Sequence, residues 1–394
     1  MPALAPPPLA LYVHFPWCVR KCPYCDFNSH ALHGELPQER YIEALERDIE
    51  AQAGAVPGRS LVSIFMGGGT PSLFAPESIA RVLQAARRYL VVPRDVEVTL
   101  EANPGTIERG RFAEYASAGV NRVSLGGQSF DDAALSALGR IHSSTDTATA
   151  VEELHAAGLG NFNIDLMYAL PGQDVEKAVA DVERAIELSP AHISHYQLTI
   201  EHGTVFAAAP PLLPTDDLAT EMLARCGERL RSSGFGQYEI SAYARPGRRC
   251  AHNLNYWTFG DYLGVGAGAH GKLTLEAAVT RSVQLREPRR YLASEPRSLE
   301  RKVVEGAELP FEFMLNALRL VDGFEPATFT ARTGLAWESI LPRLESLAAR
   351  GLVEFGPERC HASARGLRFL NDLLLEFLPE KPAAPRFPAL STGS

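Results

Sequence analysis

Two rhythms alternate along the first half of the chain. Short runs that are apolar at most positions read as strands: LALYVHF (9–15), LVSIFM (61–66), VEVTLEA (96–102), NRVSLG (121–126), FNIDLMY (162–168) and HISHYQL (192–198). Between them lie stretches such as QERYIEALERDIEAQ (38–52) and DVEKAVADVERAIEL (174–188), whose apolar residues recur at helical spacing. Six strand–helix pairs in series predict an α/β fold, a parallel sheet with its helices outside. Six units are too few for an eight-fold barrel and enough for a partial, TIM-like (β/α)6 barrel over residues 9–233. In such barrels ligands gather at the C-terminal ends of the strands.

The rhythm then changes. Beyond Pro210-Pro211 a helix (215–233) leads into a region rich in Gly, Tyr and Trp, and a less patterned connection completes the segment 234–308. Residues 309–379 predict three or four short helices with a hairpin between them, a winged-helix-like C-terminal domain. The Pro-rich residues 1–8 and the Pro/Ser-rich residues 380–394 read as tails, the second disordered.

Composition narrows the function. With 46% hydrophobic and 22% charged residues the chain is globular throughout its body. Its net charge of -9 argues against a phosphate-binding surface, and the mixed charge of ESILPRLESLAARG gives the C-terminal module no basic recognition face. No nucleic-acid partner is expected; the module serves protein contacts or covers the barrel. The first residues lack a basic region followed by an apolar run, and no window approaches eighteen uninterrupted apolar residues, so a cytoplasmic protein is expected, with any membrane contact peripheral.

In that compartment clustered cysteines bind metal or do redox work. Three of the six, Cys18, Cys22 and Cys25, fall within eight residues directly after the first strand. One reading is a structural zinc site completed by His14, His30 or His33. The other is an iron–sulfur cluster: three thiolates on a [4Fe–4S] cluster leave one iron open for a substrate or cofactor. The Cys-x3-Cys-x2-Cys spacing after the first strand of a partial barrel resembles the radical S-adenosylmethionine (SAM) enzymes. In that superfamily the open iron chelates SAM, and electron transfer from the cluster cleaves its sulfonium.

Other motifs stand at the remaining strand ends. FMGGGTPS (65–72) is a tight turn, a phosphate loop or, beside these cysteines, a loop for the SAM methionine group, with Gly68, Gly69 and Thr70 as candidates. Glu101 ends the third strand in TLEANPG, where a carboxylate can hold ribose hydroxyls or an ammonium group, or cap a helix. Gln128 ends the fourth in SLGGQSF, and Arg140 follows. Asp165 lies within the apolar fifth strand and needs a partner there, an Asp–Arg brace being the structural alternative. In order, these motifs and LYVHFPWC resemble the oxygen-independent coproporphyrinogen III oxidase-like branch over nearly the whole chain. The resemblance implies SAM contacts from Tyr12, Tyr24, Gly68, Gly69, Thr70, Glu101, Gln128, Arg140 and Asp165. In GDYLGVGAGAHG (260–271) Ala269 and His270 are candidate lining residues, or the glycines serve packing alone.

The branch holds two functions, oxidative decarboxylation of coproporphyrinogen propionates and chaperoning of heme. Three features favour the chaperones. Phe27 stands where the oxidase's cysteine run has its last cysteine; only eleven residues precede Tyr12, where the oxidase has a longer arm; and HNLNYW (252–257) matches the chaperones' heme-associated signature. In that motif His252 is the leading heme ligand, with Tyr256 and Trp257 as flat faces for the macrocycle; the alternative is an aromatic core segment with a hydrogen-bonded histidine. The expected cofactors are therefore a [4Fe–4S] cluster, SAM and heme. The expected partners are acceptor hemoproteins such as respiratory enzymes, with a homodimer left open and oxidase activity not expected.

Overall fold

Residues 4–106, 110–276, 278–294 and 300–379 are described by the structure, a computed structural model. The six predicted strands form as β1 (Leu9–Phe15), β2 (Leu61–Gly68), β3 (Glu97–Ala102), β4 (Arg122–Gln128), β5 (Phe162–Tyr168) and β6 (His192–Gln197). They pair in sequence order, all parallel. Strands buried on both faces can be apolar at every position, which is why these runs read so plainly. In β1 all residues but Tyr12 are buried.

The sheet does not stop at residue 233. Six more strands come from the segment expected to be a connection: β7 (Gly236–Glu239), β8 (Ala242–Ala244), β9 (Asp261–Val265), β10 (His270–Leu275), β11 (Ala278–Val283) and β12 (Glu300–Val303). The sheet runs β12-β11-β10-β9-β1-β2-β3-β4-β5-β6-β8-β7. Strand β9 lies parallel to β1 and extends the parallel arc to seven strands; the others add antiparallel at the two edges. Glycines hid β9 from the apolar pattern, and packing requires them. A Cβ on Gly264 would lie 2.0 Å from the His270 carbonyl oxygen.

Helices cover the outer face. The helix Gln38–Ala53 buries Tyr41, Ile42, Leu45 and Ile49, one stripe at helical spacing. It also buries Asp48, which accepts from Gln284, Tyr291, Gln52 and the Gly266 amide and so fixes this helix to the turn after β9. The helix Val175–Glu187 forms one residue short of the predicted stretch at each end. The helix Ala251–Trp257 packs on β2 and β1.

The C-terminal part has its own core around Phe313, Phe324, Phe329 and Trp337, whose rings meet edge to face. Its helices, Leu309–Ala317, Pro326–Thr333 and Leu341–Ala349, are followed by a hairpin, Val353–Phe355 with Cys360–Ala362, and by Ala364–Arg368 and Leu370–Leu375. Phe259 and Val279 belong to the same core, so this part is fused to the sheet edge. Leu4 packs there too, and its amide donates to the Glu276 carbonyl; residues 1–3 and the tail expected at 380–394 lie outside the described residues. Among the described residues no helix is long and apolar enough to cross a membrane.

Candidate functional site

The cysteine loop sits on the C-terminal rim of the parallel arc. Its base is closed by Trp17–Cys18 pairing with His30–Ala31. Cys18, Cys22 and Cys25 are half-buried free thiols that line one cavity with Tyr24, Gly68, Gly69, Thr70, Glu101, Gln128, Arg140 and Asp165. Residues as far apart in the chain as Cys18 and Asp165 thus meet where the strand-end rule places a ligand.

The thiols suit a polynuclear cluster. Among the described residues no three His, Cys, Asp or Glu side chains converge closely enough for a single metal ion. Tetrahedral zinc with Zn–S bonds of ~2.3 Å would hold its sulfurs about 3.8 Å apart. His14 cannot complete a zinc site. Its Nε2–H donates to the Asn28 carbonyl (2.9 Å), so its Nδ1 is the acceptor and takes the Tyr12 hydroxyl (2.9 Å). Burial keeps this imidazole neutral, its pKa lowered to about 4. Burial also pushes the Cys18 thiol up, so nearby positive charge is what would hold it as a thiolate. Arg140 supplies part of such charge: its guanidinium donates to Cys22 Sγ (3.6 Å) and to the Gly126 carbonyl (2.7 Å). Cys25 Sγ shares a hydrogen bond with Ser29 Oγ (3.4 Å).

The glycine loop is shaped by how closely it approaches β1. Gly68 has φ +110°, and Cβ atoms on Gly68 and Gly69 would strike the His14 ring and the Phe15 and Trp17 carbonyls. Its amides are already committed: Gly68 to Glu101 Oε2 (2.9 Å), Gly69 to the Phe15 carbonyl (2.7 Å), Thr70 to the Trp17 carbonyl (2.8 Å). The loop therefore offers a ligand acceptors, not amide donors, which matches an ammonium group and excludes a phosphate loop.

Glu101 is half-buried and takes its proton more readily than an ordinary acid, its pKa raised to about 7 by desolvation, with Asp165 adding repulsion. Asp165 is likewise raised by burial; it accepts from Asn163 Nδ2 (2.8 Å) and Ser124 Oγ (3.2 Å). The Asp–Arg brace does not form, because Arg140 turns to Cys22 and Gly126. Gln128 adopts φ +68° after a break in the β4–β5 register, and its Oε1 accepts from the Tyr196 hydroxyl (2.7 Å). Tyr196 and Ser124 line the cavity without having been expected; Tyr196 stands at the end of β6, and strand-end position was the signal available for it.

Other candidates lie elsewhere. Tyr12 does not line this cavity but a neighbouring one, together with Tyr256 and His270. Ala269 lines neither; it is buried in the turn between β9 and β10, its carbonyl accepting from the Gln284 amide. His252 is only 4% exposed, enclosed by Phe65, Tyr12 and Tyr256, with Nδ1 hydrogen-bonded to Ser63 Oγ (3.1 Å). Burial lowers its pKa to about 3. Trp257 is covered by the Arg319 guanidinium, 4.3 Å from its ring. In this structure the hexapeptide packs as an aromatic segment with a hydrogen-bonded histidine, and Tyr256 lines the neighbouring cavity.

Residues 12–185 match the radical SAM superfamily, and residues 304–369 match the HemN C-terminal domain. The chain is 46% identical to the heme chaperone HemW of Escherichia coli (strain K12), covering 95% of this chain and 99% of that protein. It is 45% identical to the heme chaperone HemW of Haemophilus influenzae, covering 97% and 100%. The mouse mitochondrial radical S-adenosyl methionine domain-containing protein 1 is 35% identical, covering 94% and 87%. Among solved structures, coproporphyrinogen III oxidase (HemN) from Escherichia coli superposes with a TM-score of 0.80 at 22% identity, covering 94% and 90%, a likeness of fold.

Proposed function

The chain belongs to the heme chaperone HemW family of the radical SAM superfamily, and from that premise we propose that it binds heme and passes it to acceptor hemoproteins such as respiratory enzymes. The observation that carries the reading is near-full-length identity to chaperones, against a likeness of fold alone to the oxidase. Phe27 supports it, standing where the oxidase run has its last cysteine.

In this reading Cys18, Cys22 and Cys25 ligate a [4Fe–4S] cluster, and Arg140 offsets the charge on the Cys22 thiolate. Held by three cysteines, the cluster would supply one iron without a protein ligand, open to SAM, and a source of electrons for the bound cofactor. The Gly68–Thr70 loop would accept from an amino N–H of SAM, and Glu101 would take the same group or a ribose hydroxyl. Gln128, held by Tyr196, and Asp165, held by Asn163 and Ser124, present polar atoms to the rest of the cofactor. Transfer would take place in the cytoplasm, with peripheral contact at a membrane surface and with the chain as monomer or dimer.

The test is paired. The cluster is reconstituted anaerobically; coproporphyrinogen turnover is measured with SAM and reductant, and hemin is titrated and then offered to an apo-hemoprotein. Heme binding and transfer without vinyl product is expected. Vinyl product at catalytic rates would establish the oxidase instead, and absence of heme binding would end the chaperone reading.

A further inference from the structure

Beside the cluster chamber lies a second cavity of about 340 Å³, lined by none of the three cluster cysteines. That volume falls within the ~300–1,000 Å³ of small-molecule sites. Phe27, Gly68 and Glu101 line both cavities, so the chambers share a wall. The second is walled by aromatic rings: Tyr12, Phe27 and the pair Tyr256 and Tyr262, stacked at 4.2 Å. Phe27 is 61% exposed, a large apolar ring left in water at the mouth.

The polar lining is His14, Asp26, Asn28, Glu101, His270 and Arg286, and the last two are the side chains open to a ligand. His270 and Arg286 are exposed, and neither side chain has a hydrogen-bond or ion-pair partner among the described residues. Partial burial and the nearby Arg286 and Arg281 charges lower the His270 pKa, leaving a lone pair free at neutral pH. The rim is fixed in place. Asn28 Nδ2 donates to the carbonyls of Ala267 and Arg286 (2.9 Å each), and Gly268, at φ +78°, leaves no room for a Cβ beside the Asn28 amide. An available imidazole, a free guanidinium and flat aromatic walls are what an iron porphyrin with propionates requires.

We propose that heme enters this second cavity, with His270 as axial ligand to the iron, Arg286 paired with a propionate, and Phe27 and Tyr256 against the macrocycle. A ring nitrogen of His270 donates its lone pair to iron; no electron is transferred in that step. His252 does not serve, because its imidazole lies inside the barrel against Ser63 and could reach a ligand only if the helix Ala251–Trp257 left β2. The assignment rests on the heme-binding reading above and supplies its residues.

The experiment is an anaerobic hemin titration of the cluster-loaded full chain, followed by its Soret band and by electron paramagnetic resonance. In His270→Ala, affinity should fall about tenfold or more, the order expected for losing a central contact. Added imidazole should restore the wild-type axial signature, which a folding defect would not allow; cluster absorbance and SAM binding report the fold. Arg286→Ala should weaken hemin binding several-fold and leave heme dimethyl ester, which lacks the carboxylates, unaffected. If wild type binds no heme, the heme-binding reading fails. If wild type binds and His270→Ala gives the same affinity and axial signature, the site assigned here is overturned while that reading stands.

Discussion

Replacing Gly68 with alanine tests whether the glycine loop holds the cysteine loop in register. At φ +110° the new residue would be strained, and its methyl would lie 2.3 Å from His14 Cε1 and 2.5 Å from Nδ1. The imidazole cannot swing aside freely, since both ring nitrogens are hydrogen-bonded, to Asn28 and to Tyr12. Backbone strain of about 1–3 kcal/mol and overpacking of about 1–3 kcal/mol together give roughly 2–6 kcal/mol. Relief by moving His14 carries the disturbance to Asn28, and through its amide to Ala267 and Arg286. Gly58 provides the control: it too has positive φ, +71°, but nothing lies within 4 Å of its Cβ position. Both variants are reconstituted anaerobically and compared for melting temperature, iron per chain and SAM affinity by equilibrium dialysis. Gly68→Ala should melt lower, hold less iron and bind SAM at least about tenfold more weakly; Gly58→Ala should lose a little stability and nothing else. Wild-type iron content and SAM affinity in Gly68→Ala, or equal damage from Gly58→Ala, would refute the coupling.

Two further outcomes are expected. With Glu101 raised from 4.5 to about 7 in the folded protein, the folded chain keeps a proton that the unfolded chain has lost. Its contribution to stability is therefore full below pH 4.5 and falls as pH rises through 7; Glu101→Gln should flatten that slope in melting temperatures between pH 5 and 8, and also the rise in SAM affinity expected as the carboxylate ionises. His252→Ala should leave a cavity among Phe65, Tyr12 and Tyr256 and free Ser63, costing about 2–4 kcal/mol. Hemin affinity of the folded variant should remain within a few-fold of wild type, and a complete loss at full cluster content would return the ligand to His252.

What could be read before the fold was known, and what could not, divides along physical lines. The six parallel strands were legible because burial on both faces favours apolar residues over most of a short run, a signal each segment carries alone. Strand β9 was not, because Gly264 and Gly266 answer to distant atoms, the His270 and His14 carbonyl oxygens, 2.0 Å and 2.4 Å from where a Cβ would stand. Locally such glycines read as loop. The convergence of three thiols on one cavity was legible through residue type and spacing, since only a few chemistries gather three cysteines in eight residues. Tyr196 was less so: it acts through one hydrogen bond to Gln128 across two strands, and its place near the end of HISHYQL was the one local sign of it. His252 and His270 show the same limit from the other side. Both are histidines in motif-like surroundings, and what separates them is direction, which long-range contacts decide. Glu97 Oε1 accepts from the His252 amide, and Arg319 covers Trp257, so the helix carrying His252 is held with its imidazole inward. His270 is held on the rim by strand pairing and by the turn that Asn28 fastens. Phe27 joins the two kinds of evidence. Its identity, a phenylalanine where the related oxidase has a cysteine, was visible in the sequence; that its exposed ring borders both chambers was not. One position of the cysteine loop thus sets an apolar ring on the wall that the two cavities share, where a porphyrin plane could rest if the proposed site is right.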